Sequence, residues 1–411
     1  MESIKIFDTA GYLLDEFMYS YDKNNNITQI ESQEGTVTYQ YDELNQLIQE
    51  TLIDGTILTY EYDSVGNRTQ KTTEDPSGGI SAITYSYNEA NELTNVGSQA
   101  YSYDANGNLI STGDKTFIYN ANNRLVEVQD ADGVTIASFS YDEQGRRIRK
   151  TTSDGTTYYH YDLDSINVIY ETDQDNSVFA EFTYDEQNRP ATMIKDETIY
   201  YYHFNAHGDV IGLTDENGSF VAEYQYDAWG NIIIQSGSMA SKNPYRYANY
   251  RYDEETKLYY LITRYYDAYI GRFLTKDKFQ GINTEPLSLN RYIYVRNNPV
   301  MYIDPSGRIA WWIWAAAIDI GKGLFFYAYD IYRGNQSFSW GSLSWTITTS
   351  AVNGILGKYM GLRKVYSIAY GVYLDVKWTV FSWTWDPPEN KWEAARRLGT
   401  TITRSIAGGL K

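Results

Sequence analysis

The chain has 411 residues, 42 Tyr, no Cys and a net charge of −19. That length supports a large core and more than one domain, and the lack of Cys excludes disulfide staples, Cys metal sites and Cys catalysis while leaving the redox compartment open. Charge is uneven: residues before Arg308 include 22 basic and 47 acidic side chains, those from Arg308 onward 12 and 6, so the front is near −25 and the tail near +6, which argues against nucleic-acid binding by the repeat region and fits either an acidic body around a basic segment or solubility alone.

The opening, Met1-Glu2-Ser3-Ile4-Lys5, lacks a long apolar stretch of the signal-peptide kind. It reads as the middle of a repeat array, and an export address is expected elsewhere. From Tyr19 to Asp227 the chain writes aromatic-x-Tyr(Phe)-Asp(Asn) eleven times, beginning with Tyr19-Ser20-Tyr21-Asp22 and ending with Tyr224-Gln225-Tyr226-Asp227. Aromatics two apart share one face of a strand, whereas on a helix they would diverge by about 200°. Gly or Asn often follows, as in Ser64-Val65-Gly66-Asn67 and Ala105-Asn106-Gly107-Asn108, where a positive φ costs little. Each period of roughly 20 residues is therefore expected to be a hairpin, with the units stacked edge to edge.

Within the repeats, Asp104-Ala105-Asn106-Gly107-Asn108 alternates oxygen ligands before a Gly turn like the start of a calcium loop, but the closing bidentate Glu is missing and a hairpin turn is the preferred reading. The three His are His160, His203 and His207. In a strand followed by a turn, His203 and His207 are not expected to converge on a metal, and repeat packing accounts for them. No metal or other cofactor is expected.

Past Asp227 the period fails. The landmarks that follow are Arg264-Tyr265-Tyr266-Asp267, Gly271-Arg272-Phe273-Leu274, Asp277, Asn290-Arg291-Tyr292, Asn297-Asn298-Pro299-Val300 and Asp304-Pro305-Ser306-Gly307. With the repeats before it, this stretch resembles the RHS-repeat (YD-repeat) proteins and their RHS-associated core, over roughly residues 1 to 307. The resemblance implies a hollow β-sheet shell that the core closes at one end, followed by a variable cargo, frequently a toxin. Some members cut themselves just after the Asp-Pro-x-Gly motif with one arginine and two aspartates, which fall here on Arg264, Asp277 and Asp304, with cleavage near Arg308. This chain departs from the pattern at Arg308, where self-cleaving relatives usually have Leu, and around Gly281 to Pro286, where it carries extra residues.

An aspartic dyad works when two carboxylates share a proton, and a nearby Arg can hold the charge or an oxyanion. A structural core fits the same residues: Asp304-Pro305-Ser306-Gly307 is a good turn and Asp277 a natural salt-bridge partner for Arg264. The residues alone leave both open.

From Arg308 the composition changes, with nine of the ten Trp between Trp311 and Trp392. Residues Ile309 to Tyr332 are apolar apart from Asp319, Lys322 and Asp330, which fits a buried or interfacial helix better than a membrane span. Residues Tyr373 to Val380 alternate as a strand, and Lys391 to Leu410 read as a basic helix. The tail has no His or Cys and no recognisable catalytic constellation; its Trp and Lys near apolar segments suit a membrane target, while a packing segment and an enzyme of another kind stay open.

The expected fold is mainly β, YD-repeat hairpins stacked into a curved β-sheet shell, with a small aromatic-rich mixed α/β C-terminal segment. The expected domains are a repeat shell (1–230), the associated core (231–307) and the variable segment (308–411). The expected function is a shell that carries the C-terminal effector of a secreted polymorphic toxin system and cuts itself after Asp-Pro-Ser-Gly. Its expected partners are its own C-terminal segment as cargo, an immunity protein and a membrane target for the tail; its expected place is secreted or at the cell surface. The alternative is a cell-surface adhesion module that binds carbohydrate or protein without toxin activity.

Overall fold

The computed structural model describes residues 2–7, 13–162, 165–281 and 286–307. The expectations for the tail, its mixed α/β make-up included, lie outside the described residues. Residues Met1–Lys278 and Asn290–Arg308 form one compact unit. Residues Phe279–Leu289 fall outside it and contain the single-turn helix Pro286–Leu289.

Up to residue 236, the described strands pair antiparallel with their neighbours in sequence, in two sheets. Ten strands, from Glu2–Phe7 to Gln99–Ala100, make one sheet and fourteen, from Ser102–Tyr103 to Ile232–Ser236, the next. The break falls at Tyr101, whose amide turns to Thr94 O at 2.8 Å.

The motif dictates this local structure through three separate contacts. Its first aromatic points into the core: Tyr19, Tyr60, Tyr85, Tyr101, Phe117, Phe139, Tyr159, Phe182, Tyr202 and Tyr224 are all buried. Its second aromatic ends the strand at a register shift in all eleven copies, among them Ser20/Tyr21, Glu61/Tyr62, Ser140/Tyr141 and Gln225/Tyr226. A bulge bends and twists its strand, and at these bulges the phenol reaches back to the preceding repeat. Tyr41, Tyr62, Tyr87, Tyr141, Tyr161, Tyr184 and Tyr226 donate to the carbonyls of Ile27, Leu47, Arg68, Leu125, Arg147, Val168 and Val210 at 2.5–2.9 Å.

The third contact is the Asp or Asn, which closes the turn. Asp22 Oδ1 accepts the amides of Asn24 and Asn26, both at 2.8 Å, and the pattern recurs at Asp42, Asp63, Asp104 and Asp227. Asn or Gly then takes the left-handed position, as Asn25 (φ 63) and Gly107 (φ 79) do, where other side chains would be strained.

The wall curves until its first and last repeats meet. Tyr19 Oη accepts the Ala206 amide at 3.1 Å, Gln225 bonds Glu34 at 2.5 Å, and both oxygens of the buried Glu50 carboxyl lie 2.9 Å from the Ala228 amide. Lys71 lies 3.7 Å from Asp227 at the same seam.

Residues 239–278 and 290–303 fill the inside of this curve. Its four-stranded sheet runs Arg251–Asp253, Leu258–Leu261, Arg264–Asp267 and Arg272–Phe273. Leu258, Tyr260, Tyr265, Ile270 and Leu274 pack with repeat residues between Tyr85 and Phe139, and Met239, Ala240 and Tyr245 with those between Tyr159 and Tyr224. Landmark residues bond the repeat turns: Arg272 and Asn290 reach Asn67 Oδ1 at 2.8 and 2.7 Å, Asn297 reaches Gln46 and the Gly66 carbonyl, and Asn298 reaches Asn26.

Candidate functional site

The hairpin Leu258–Leu261/Arg264–Asp267 carries Arg264 inward, and the guanidinium is almost fully spent. Its Nη2 lies 2.9 Å from Asp277 Oδ2 and 3.3 Å from Asp304 Oδ2. Its Nη1 donates to Arg291 O at 3.2 Å and its Nε to Gly307 O at 2.5 Å. The ring of Phe273 lies beneath, 3.5 Å from the guanidinium carbon, a cation–π contact that helps fix the plane of the fork. The fold thus brings Arg264, Asp277 and Asp304 onto one guanidinium, although sequence placed them up to 40 residues apart.

Asp277 is held by its own amide, which donates to Arg291 O at 2.8 Å. Asp304 is buried, and its amide donates to the Tyr250 hydroxyl at 2.6 Å, itself 2.9 Å from the Tyr294 hydroxyl. Burial is the main reason the Asp304 carboxyl is pushed up to about 6, with Arg264 pulling it down and Asp277 pushing it further up. Two carboxyls around one cation, one of them reluctant to ionise, is the electrostatic form of an acid–base pair. The turn expected at Asp304-Pro305-Ser306-Gly307 is present as well: the Gly307 amide lies 3.4 Å from Asp304 O. The position near Arg308 where a cut is expected lies outside the described residues.

Sequence reasoning missed Tyr250, Tyr294 and Thr263, whose hydroxyl lies 2.8 Å from both Ser306 O and Gly307 O. A hydroxyl that acts across 43 to 54 residues leaves no local spacing to detect.

The other candidate residues sit elsewhere in the described chain. Asp104 spends both carboxylate oxygens on Asn106 and Asn108 within its own turn. His160 stacks on Tyr170 and bonds Thr172, His203 bonds Thr214, and His207 pairs with Asp209 at 2.8 Å, so each imidazole has its own partner. Among the described residues, no cluster of three or more His, Cys, Asp or Glu is arranged to hold a metal, and no helix is long and apolar enough to cross a membrane.

A repeat wall curled around a plug that carries these landmarks defines a YD-repeat (RHS) shell protein with its associated core. Residues 11–300 match the model of the Teneurin YD-shell family, and the chain belongs to that family. It is similar to the tRNA3(Ser)-specific nuclease WapA of Bacillus spizizenii, 41% identical over 332 residues, and to the tRNA nuclease WapA of Bacillus subtilis, 42% identical over 329. Those alignments cover 80% and 79% of this chain but 14% of each relative. In the crystal structure of TcdB2-TccC3-Cdc42 a similar fold covers 73% of this chain and 17% of that one, with a TM-score of 0.61 at 21% identity.

Proposed function

We propose that the chain is the closing end of a shell that carries the C-terminal effector of a secreted polymorphic toxin, and that it cuts itself after Asp304-Pro305-Ser306-Gly307. In this reading the boundaries are a repeat shell (1–230), an associated core (231–307) and a cargo (308–411). The observation that carries it is the convergence of Arg264, Asp277 and Asp304 beside the Gly307 carbonyl. A salt bridge alone would not require a second, buried carboxyl on the same nitrogen, nor a guanidinium aimed at the carbonyl behind the motif. Similarity to nucleases named for tRNA supports a toxin context; the identity of this chain's effector, an immunity partner and a membrane target for the tail belong to the same proposal.

In the reaction, the ionised carboxylate accepts a proton from water as it attacks, and the protonated one supplies a proton to the leaving nitrogen. Arg264 keeps the pair to one shared proton and draws electron density towards the carbonyl oxygen. The test is a denaturing gel of the purified full chain beside Asp277→Asn and Asp304→Asn. Two fragments from the unmodified chain and one band from each variant are expected; two fragments from all three would refute the role of these carboxyls.

A further inference from the structure

Arg68 and Arg147 hold the same place in their repeats. Each stands five residues after a motif Asp, Asp63 or Asp142, opens a strand, Arg68–Glu74 or Arg147–Thr152, and lies opposite the bulged second aromatic, Tyr62 or Tyr141. Both side chains are buried, in chambers of the same make. The guanidinium carbon of Arg147 lies 5.1, 5.0 and 4.5 Å from the ring centres of Phe139, Tyr159 and Tyr260. That of Arg68 lies 4.8, 5.8 and 4.1 Å from those of Tyr60, Tyr85 and Trp229. Phe139 and Tyr60 open the motif of their own repeat, Tyr159 and Tyr85 that of the following one.

The two differ in what answers the charge. Arg147 grips both oxygens of Asp253. Arg68 has no such carboxylate among the described residues: the groups that act on it most strongly are the phenols of Tyr85, Tyr62, Tyr60 and Tyr266, and Tyr62 is its hydrogen-bonding neighbour. Asp227, the carboxylate of the Trp229 turn, is taken by Lys71 and by the amides of Trp229 and Asn231. Arg68 Nε and Nη2 are buried without a partner among the described residues, and so are the Tyr60 and Tyr85 hydroxyls and Trp229 Nε1. Burying an unanswered charge is among the larger costs a fold can carry, and cation–π contact offsets only part of it.

The unpartnered atoms have a common chemistry. Nε–H and the adjacent Nη2–H run parallel along one edge of the guanidinium, the pair that holds an anion in two-point recognition. The indole N–H can only donate, and each phenol has a proton to give. Gly271 of the core covers the chamber. It has φ 66, and a Cβ there would lie 2.8 Å from the Trp229 ring and 3.0 Å from the Arg68 guanidinium carbon.

We propose that Arg68 is the centre of a buried site for a small monovalent anion, a halide or a small carboxylate, held across Nε–H and Nη2–H with Trp229 Nε1–H and the phenols of Tyr60 and Tyr85 as further donors. The anion does for Arg68 what the Asp253 carboxylate does for Arg147. One negative charge matches one guanidinium, whereas a dianion would leave a net charge buried. The donors come from early repeats and from the last one, so the ion is a clasp on the seam where the wall meets itself.

The test is urea unfolding of the purified full chain in sodium chloride, sodium formate and sodium gluconate at equal ionic strength, gluconate being too bulky for a sealed site. It compares the unmodified protein with Arg68→Met and Trp229→Phe, and is paired with bromide anomalous diffraction from crystals of the unmodified protein. An ion held only by the folded chain raises the folding equilibrium constant about tenfold for each tenfold rise in its concentration above the dissociation constant. Chloride or formate should do so in the unmodified protein, should need a several-fold higher concentration in Trp229→Phe, and should act no differently from gluconate in Arg68→Met. A response to chloride, with a bromide peak beside Arg68 Nε and Nη2, assigns a halide; a response to formate alone assigns a carboxylate; either upholds the site. Should Arg68→Met fail to fold, the bromide peak and the Trp229→Phe shift decide. An equal response in Arg68→Met, or no response to either ion and no bromide peak, would overturn the proposal, water then meeting these hydrogens.

Discussion

Asp304 shows how a single residue can carry a cost to folding. Burial sets its carboxyl to about 6, above the ordinary value near 3.9 for a free Asp. A group whose folded pKa is raised gives stability that is full below the ordinary value and is lost as pH rises through the folded one, because the folded state holds the proton longer. The loss should run from about pH 4 to about 6 and amount to roughly 1–3 kcal/mol. Asp304→Asn should therefore be more resistant to urea than the unmodified chain above pH 6, with the difference shrinking towards pH 4. An Asn variant that is less stable at pH 7 would contradict this. His207 tends the same way: burial lowers its pKa, but its partner Asp209 and its contact with Tyr302 O raise it by more, so its contribution is full below the ordinary imidazole value near 6.5 and fades as pH climbs past the raised one.

The hairpin is the next scale, and its motif has a division of labour. The first aromatic supplies buried area, the second ties a bulge to the preceding repeat, and the Asp closes the turn. Tyr62→Phe removes one phenol bond to Leu47 O and should cost about 1 kcal/mol in thermal or urea unfolding. Asp104→Ala removes acceptors for two amides and the Asn108 side chain and should cost about 1–2 kcal/mol, as the loss of a comparable cap does. Strand type and turn were legible because aromatics at alternate positions and Asn or Gly after an Asp act within a few residues. The bulge and its phenol bond were not, since the partner carbonyl lies 14 to 19 residues back. The same holds at the site. Arg264, Asp277 and Asp304 could be named only through likeness to a family, and their meeting depends on how the core segment folds against the wall. Thr263 gave no sign, because the carbonyls its hydroxyl reaches, Ser306 O and Gly307 O, lie 43 and 44 residues away.

For the whole molecule, what matters is how wall and plug are joined. Arg147 in the repeats pairs with Asp253 in the core through two contacts of 2.5 and 3.0 Å, both side chains buried, and Arg251 in the core pairs with Glu171 in the repeats. Such pairs add little over apolar packing, but breaking one strands a buried charge. Asp253→Ala, which leaves Arg147 without its carboxylate, should cost about 3–5 kcal/mol, seen as a large drop in the urea midpoint of the shell. The seam at Glu50 and Ala228 shows that the curl brings the first described repeats against the last, so the core is held by a wall that meets itself. The most direct measurement is intact-mass spectrometry of the purified 411-residue protein, native and denatured. Two polypeptides, one ending at Gly307 and one beginning at Arg308, are expected from the unmodified protein, and a single uncut chain from Asp277→Asn; a correctly folded unmodified protein that remains one polypeptide would contradict self-cleavage at this site.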